Sequence, residues 1–234
     1  MSVEARNEIK QGAIKHLIRL VFQRVIGVCL FCIAAGTVSD TRGIVYIALY
    51  LLGSFIGIAI MFHGHKETLN AREQTRKSIK GWDKILLPII WLLAFFVIYV
   101  IAGLGIRFEW SVLPIQWFYV GIAMFLVSSV FNTWSVMENK HFEGTSRIQT
   151  DREHTVITTG AYRIVRHPGY SSLVIWAIAV YLVFGTLAVG IVSFIVIGAV
   201  WIRTYLEDKM LKDELAGYLE YSQKTRYRLI PFIW

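Results

Sequence analysis

The stretch "YRIVRHPGYSS", residues 162 to 172, sets two arginines, a histidine and a proline immediately before a long run without charge. Pro168 suits the first position of a helix, where its missing amide proton costs nothing, and it pushes the preceding residue out of helical geometry. His167 is therefore expected at a helix N-terminus, an end with free amide groups and partial positive charge. With Arg163 and Arg166 beside it, that end suits an anionic group such as a carboxylate. Glu207 and Asp208 follow the same apolar run and are expected to bring negative charge back to the same depth. One cationic and one anionic wall together suit a zwitterionic ligand. Arg226 and Arg228, in "KTRYRLIP", carry planar guanidinium forks that could position an anionic acceptor.

Each of these residues also has a plainer reading. Arginines at the end of an apolar run snorkel, and an acidic pair there can be an interfacial salt bridge. Arg226 and Arg228 equally suit lipid headgroups, and Tyr218 and Tyr221 suit interfacial packing. His63 and His65 form "HGH", but two ligands without a third argue against a metal site, and none is expected. Cys29 and Cys32 form a CxxC inside an apolar segment, where small apolar fillers are expected rather than a redox pair.

The elements that must hold this cluster are membrane spans. A hydrophobic content of 56% with positive mean hydropathy is too apolar for an ordinary soluble protein. Several windows reach the roughly 20 apolar residues needed to cross about 30 Å of hydrocarbon. Spans are expected at about 18–38, 43–62, 85–106 and 113–136. The charged opening and the lack of a small-residue cleavage site after the first apolar run speak against a removable signal peptide. The net charge of +8 follows topology rather than nucleic acid. With loops alternating sides, all 24 Lys and Arg except Arg42 and Arg107 fall on the side of both termini, which marks that side as cytoplasmic. The segments "KETLNAREQTRKSIKGWDK" (residues 66–84) and 137–159 are then polar cytoplasmic stretches.

From Pro168 to Ile202 no residue is charged. As one helix those residues would span about 52 Å, well beyond the hydrocarbon thickness. Phe184-Gly185-Thr186 near the middle offers a break, giving a hairpin of two short arms of roughly 16 residues each. The fold class expected is all-α integral membrane, with about six transmembrane segments. Residues 1–136 form the N-terminal spans, and 137–234 a C-terminal region with the hairpin 168–202 beside a cytoplasmic site and tail.

The pattern "HTVITTGAYRIVRHPGY" (residues 154–170), a hydrophobic hairpin, "LEDKMLKDELAGYLEY" and "RYRLIP" resembles the isoprenylcysteine carboxyl methyltransferase family, itself similar to the phospholipid N-methyltransferases. The likeness covers roughly residues 130–234. It implies an S-adenosylmethionine-dependent membrane methyltransferase whose cofactor site lies on the cytoplasmic side. Arg166, His167, Pro168 and Tyr170 match the RHPxY element and Glu207 the first acidic position. His154, Gly160 and Tyr162 match the lead-in. Ala161 stands where a proline is common, and Asp208 where a second glutamate is common, so the contact made by Asp208 could be redirected. The resemblance implies cofactor binding by His154, Gly160, Tyr162, His167, Pro168, Tyr170, Glu207 and Asp208. Arg166, Glu207 and Arg226 are the candidates for a direct part in methyl transfer.

The acceptor implied is lipid-like or small and hydrophobic. A prenylcysteine-type carboxylate, a phospholipid amine and a thiol all remain open. A membrane reductase of the sterol reductase type, which binds NADPH without a GxGxxG fingerprint, and a non-catalytic membrane protein are the alternatives of other classes. No nucleic-acid partner is expected, and the bilayer itself is.

Overall fold

In a bilayer, apolar runs of this length satisfy their backbone groups only as helices. The computed structural model describes residues 11–64, 79–110 and 113–234. Residues before Gln11, His65 and most of the polar 66–84 segment lie outside the described residues. The helices are α1 (Gln11–Ala35), α2 (Thr41–Gly64), α3 (Asp83–Arg107, with a π-helical turn at Leu93–Val97), α4 (Ile115–Glu138), α5 (Pro168–Phe184), α6 (Leu187–Glu214) and α7 (Tyr218–Lys224). Among the described residues there is no strand. Five helices are long and apolar enough to cross a membrane, and α5 is a shorter apolar helix, so the chain is an all-α integral membrane protein.

The four expected N-terminal spans are all present, but α1 begins earlier than expected. Lys15 and His16 continue the helix instead of preceding it. The expected break also occurs. Gly185 ends α5 at φ 70°, a left-handed conformation natural to glycine. Thr186 then starts α6 by accepting a hydrogen bond from the Val189 amide at 3.3 Å. The two arms are unequal, however, with 17 and 28 residues rather than two short ones. α6 runs on past Trp201 to Glu214, so Glu207 and Asp208 sit on its last turns and not beyond its end.

The arms are held by packing that small residues allow. α4 lies along α5, α5 along α6, and α1 against the second half of α3. At Gly121 on α4, a Cβ would stand 2.8 Å from the Val183 amide nitrogen and 2.9 Å from the Ala179 carbonyl oxygen of α5. Only glycine permits that approach, the usual device where helices associate in lipid. The centre is aromatic, with Tyr46, Tyr50, Tyr99, Phe125, Trp176 and Phe184 buried together. The Trp176 indole donates to the Tyr46 hydroxyl at 3.2 Å. Phe22, Phe55, Val130 and Phe194 point outward and are exposed.

The bundle end that holds the α5–α6 turn is tied by Arg42, which donates to the carbonyls of Val183 and Leu113, each at 3.0 Å. Arg107 lies near Gly36, at the same end as Arg42. Cys29 and Cys32 are free thiols on α1. The opposite end carries the 139–166 connection and the C-terminal segment, which together form the candidate site.

Candidate functional site

A polar connection folds over the mouth of the α5–α6 hairpin because buried ion pairs anchor it. Asp83, at the start of α3, is fully buried. It accepts from Arg203 of α6 at 2.7 and 3.2 Å and from the Ser146 amide at 2.7 Å. Arg203 also donates to the Gly144 carbonyl at 2.6 Å, so one arginine joins two helices to the connection. Arg147 is clamped between Glu143 and Asp151, at 3.0 and 2.5 Å. Burial works against the Arg147 charge, but its two carboxylates outweigh that cost and raise its pKa. Asp151 is held below the usual carboxylate range, chiefly by its hydrogen bond to Arg147.

At the hairpin mouth, Pro168 begins α5 and His167 caps it with non-helical geometry. The C-terminal segment docks alongside. The amide of Arg166 donates to the Tyr227 carbonyl at 2.9 Å, and that of His167 to the Arg228 carbonyl at 3.0 Å. Arg166 is buried and fully engaged. Its Nε and Nη2 grip Asp208 at 2.7 and 3.1 Å, while Nη1 donates to the Thr225 and Arg226 carbonyls at 2.9 and 2.8 Å. Those carbonyls follow the C-terminal end of α7, where a cation is favoured.

The two acidic neighbours have different surroundings. Asp208 is 1% exposed and accepts from Arg166, from Arg228 at 3.0 Å and from the Tyr218 hydroxyl at 3.0 Å. Lys212 lies 3.2 Å away. It is the counter-ion of a closed cluster. Glu207 instead turns Oε2 to the hydroxyls of Tyr170, at 2.7 Å, and Ser146. The nearest cation to its Oε1 is the His167 ring, with Nδ1 at 3.7 Å. His167 stands between both carboxylates, its Nε2 3.4 Å from Asp208. Burial disfavours its charge, but the two carboxylates prevail and raise its pKa.

A cavity of about 690 Å³ opens at this end and runs into the bundle. Of the expected site residues, His154, Tyr162, Arg166, His167, Pro168, Tyr170 and Glu207 line it. Gly160, Asp208 and Arg226 do not. Gly160 sits at positive φ against Glu138, at the start of a short 3-10 turn. The Arg226 side chain is exposed, and what it contributes is its carbonyl. Arg228 reaches Asp208 and lies over the Trp234 ring at 4.8 Å. His154 is pushed down to about 4 by burial and by neighbouring His141, so it is neutral at physiological pH. The Tyr162 hydroxyl accepts from Asn139 at 2.9 Å, and burial raises its pKa.

Several residues of the site were not anticipated. Tyr218 and Tyr221 are buried inside the protein rather than placed at a membrane interface. Tyr218 bonds Asp208, and the Tyr221 hydroxyl donates to the Tyr162 carbonyl at 2.6 Å. Asp83, Arg203 and Ser146 carry no local motif. His16, Arg19, Leu20, Gln23 and Arg24 of α1 also line the cavity. Their spacing, i, i+3, i+4, i+7 and i+8, is one helix face and was readable in the sequence. Basic residues there serve topology equally well, which hid the pattern.

The apolar part of the wall includes Trp91 and Phe95 of α3 and Trp176 of α5. A cavity with ionised groups at one end and aromatic rings along its length suits an amphiphilic ligand pair, one soluble and one from the lipid.

Comparison with known proteins bears on the same region. The model of the isoprenylcysteine carboxyl methyltransferase family matches residues 121–213, from α4 nearly to the end of α6. A probable protein-S-isoprenylcysteine O-methyltransferase of Oryza sativa subsp. japonica is 26% identical over 184 residues, covering 76% of this chain and 95% of its own. Protein-S-isoprenylcysteine O-methyltransferase B of Arabidopsis thaliana is 25% identical over 119 residues, 48% of this chain and 58% of its own.

Proposed function

We infer from the family-model match over residues 121–213 that the chain is a member of the isoprenylcysteine carboxyl methyltransferase family and an S-adenosylmethionine-dependent membrane methyltransferase that acts on a lipid-borne acceptor. The acceptor that fits best is a prenylcysteine-type carboxylate, the substrate class printed in the names of the rice and Arabidopsis relatives. The observation that carries this reading is the single cavity in which His167 and Glu207 share walls with Trp91, Phe95 and Trp176.

The donor set suits the cofactor. Glu207 Oε1, which faces the His167 ring at 3.7 Å, suits an ammonium group. His167, whose pKa the two neighbouring carboxylates raise against burial, suits a carboxylate. Tyr162, Tyr170 and His154 offer ring surfaces for a purine. When bound, S-adenosylmethionine supplies an electrophilic methyl group on a sulfonium. Arg166 and Asp208 act as positioning residues, because their bonds hold His167 and the C-terminal segment in place. Arg228, whose guanidinium is held by Asp208, helps fix the C-terminal segment at the site.

A carboxylate acceptor is already ionised at neutral pH, so the chain need supply no general base for it. What the protein contributes is alignment and a cavity walled in part by aromatic rings. Placing both termini and the site on the cytoplasmic side follows the charge bias. Arg42 and Arg107, the two basic residues expected outside, share the bundle end opposite the site.

The test is calorimetric titration of detergent-purified protein with S-adenosylmethionine and S-adenosylhomocysteine, with His167→Ala and Glu207→Gln beside the wild type. Micromolar binding that both variants lose supports the reading. Absence of binding to the wild type sinks it, and equal binding to all three would move the site elsewhere.

A further inference from the structure

α1 places an arginine deep in the bilayer. Arg24 is near the middle of the span Ala13–Ala35. Its guanidinium lies between two rings, 4.7 Å from the centre of Tyr50 and 4.9 Å from that of Phe95, and it donates to the Tyr50 hydroxyl. Among the described residues no carboxylate lies within ion-pairing distance of it. An ionised side chain at that depth is costly and pairs with something, so one lacking a counter-ion among the described residues points to a ligand.

A second, independent observation lies beside it. Gln23 is 7% exposed, and its side-chain amide nitrogen has no hydrogen-bond partner among the described residues. A buried amide without a partner is rare and asks for one. Gln23 and Arg24 both line the cavity that reaches Glu207. Cation and amide donor therefore face one space, which His167, Tyr50 and Trp176 also line.

We propose that this face of α1 is an anion subsite inside the membrane, with Arg24 as charge partner and Gln23 as second donor for the carboxylate of an amphiphile entering from the lipid. Identifying that amphiphile as the methyl acceptor rests on the function proposed above. The subsite itself does not. A guanidinium held by the Tyr50 and Phe95 rings keeps a planar donor fork, which matches a carboxylate as the single ammonium of a lysine does not.

The experiment uses the full chain in phosphatidylcholine nanodiscs, titrated with N-acetyl-S-farnesylcysteine and with its methyl ester. The two probes differ by the charge and one methyl group. The wild type should bind the acid about tenfold more tightly than the ester, as one charge-assisted pair provides. Arg24→Gln should abolish that preference and leave ester affinity unchanged. Gln23→Leu, which keeps Arg24 and its packing, should reduce the preference by about threefold. A wild type without acid preference overturns the proposal. So does a preference that survives Arg24→Gln or, if that variant does not fold, one unchanged in Gln23→Leu. Repeating the wild type in nanodiscs containing phosphatidylglycerol separates two sources of the anion. An acid preference that disappears there would assign the subsite to a lipid phosphate and overturn its assignment to the entering amphiphile. S-adenosylhomocysteine titrated in parallel reports on the methyltransferase reading. No binding of it, with acid preference intact and lost in Arg24→Gln, would sink that reading and leave the subsite standing.

Discussion

Arg166 and Asp208 are 42 positions apart in the chain and meet at 2.7 Å at the mouth of the α5–α6 hairpin. The pair does more than close the hairpin, because Asp208 also receives Arg228 and Tyr218 while Arg166 bonds the carbonyls after α7. Three separate elements are therefore fastened through one carboxylate.

Asp208→Asn leaves buried cations without their counter-ion, a change that costs about 3–5 kcal/mol when one partner of a buried pair is removed. Thermal unfolding in detergent should show a clearly lowered midpoint. Glu207→Gln, whose partners are the hydroxyls of Tyr170 and Ser146, should unfold much closer to wild type. Equal destabilisation of the two would contradict the division of roles.

Arg226 and Arg228 are separated by their placement. Arg226→Ala removes an exposed side chain and keeps the carbonyl that Arg166 uses, so stability should change by no more than about 0.5 kcal/mol. Arg228→Ala loses the contact to Asp208 and the packing on Trp234, and should lower the unfolding midpoint clearly. Melting of the two variants side by side decides it.

Gly121→Ala forces a Cβ into the α4–α5 contact, 2.8 Å from the backbone of Val183. The two helices must separate, and α5 carries His167 at its start. The expected outcome is a loss of about 1–3 kcal/mol, the usual cost of overpacking, together with weaker cofactor binding. Unfolding and calorimetry of that variant check both.

Two histidines should give stability opposite slopes with pH. His154 is held neutral down to about 4, while the unfolded chain takes up its proton near 6.5. Between those values the unfolded state binds more protons, so stability falls as pH drops from 6.5 toward 4. His167 is raised, so its contribution is complete below 6.5 and is lost as pH rises through its folded pKa. Melting midpoints of His154→Asn should lose part of the acid slope in that window, and His167→Gln part of the slope above 6.5. Unchanged profiles would show that neither group is perturbed in solution.

Much of this architecture is local and could be read from the chain. Hydropathy alone marks α1 to α4, because lipid demands a fixed length of apolar helix. The break at Gly185 is legible because 35 uncharged residues cannot cross once and glycine tolerates positive φ. Pro168 likewise announces the start of α5 and the capping place of His167. The direction of each side chain was not legible. Glu207 and Asp208 are neighbours on one helix, about 100° apart in projection. Only packing against α5 and α7 decides that the first faces the cavity and the second closes the cluster. Asp83 and Arg203 are 120 positions apart and carry no motif, so only the approach of α3 to α6 pairs them. The face of α1 stands between these cases. Its spacing was present in the sequence, but the same basic residues satisfy a rule about topology. Only the tertiary structure turned that face toward a cavity, where an arginine without a counter-ion among the described residues acquires a chemical meaning.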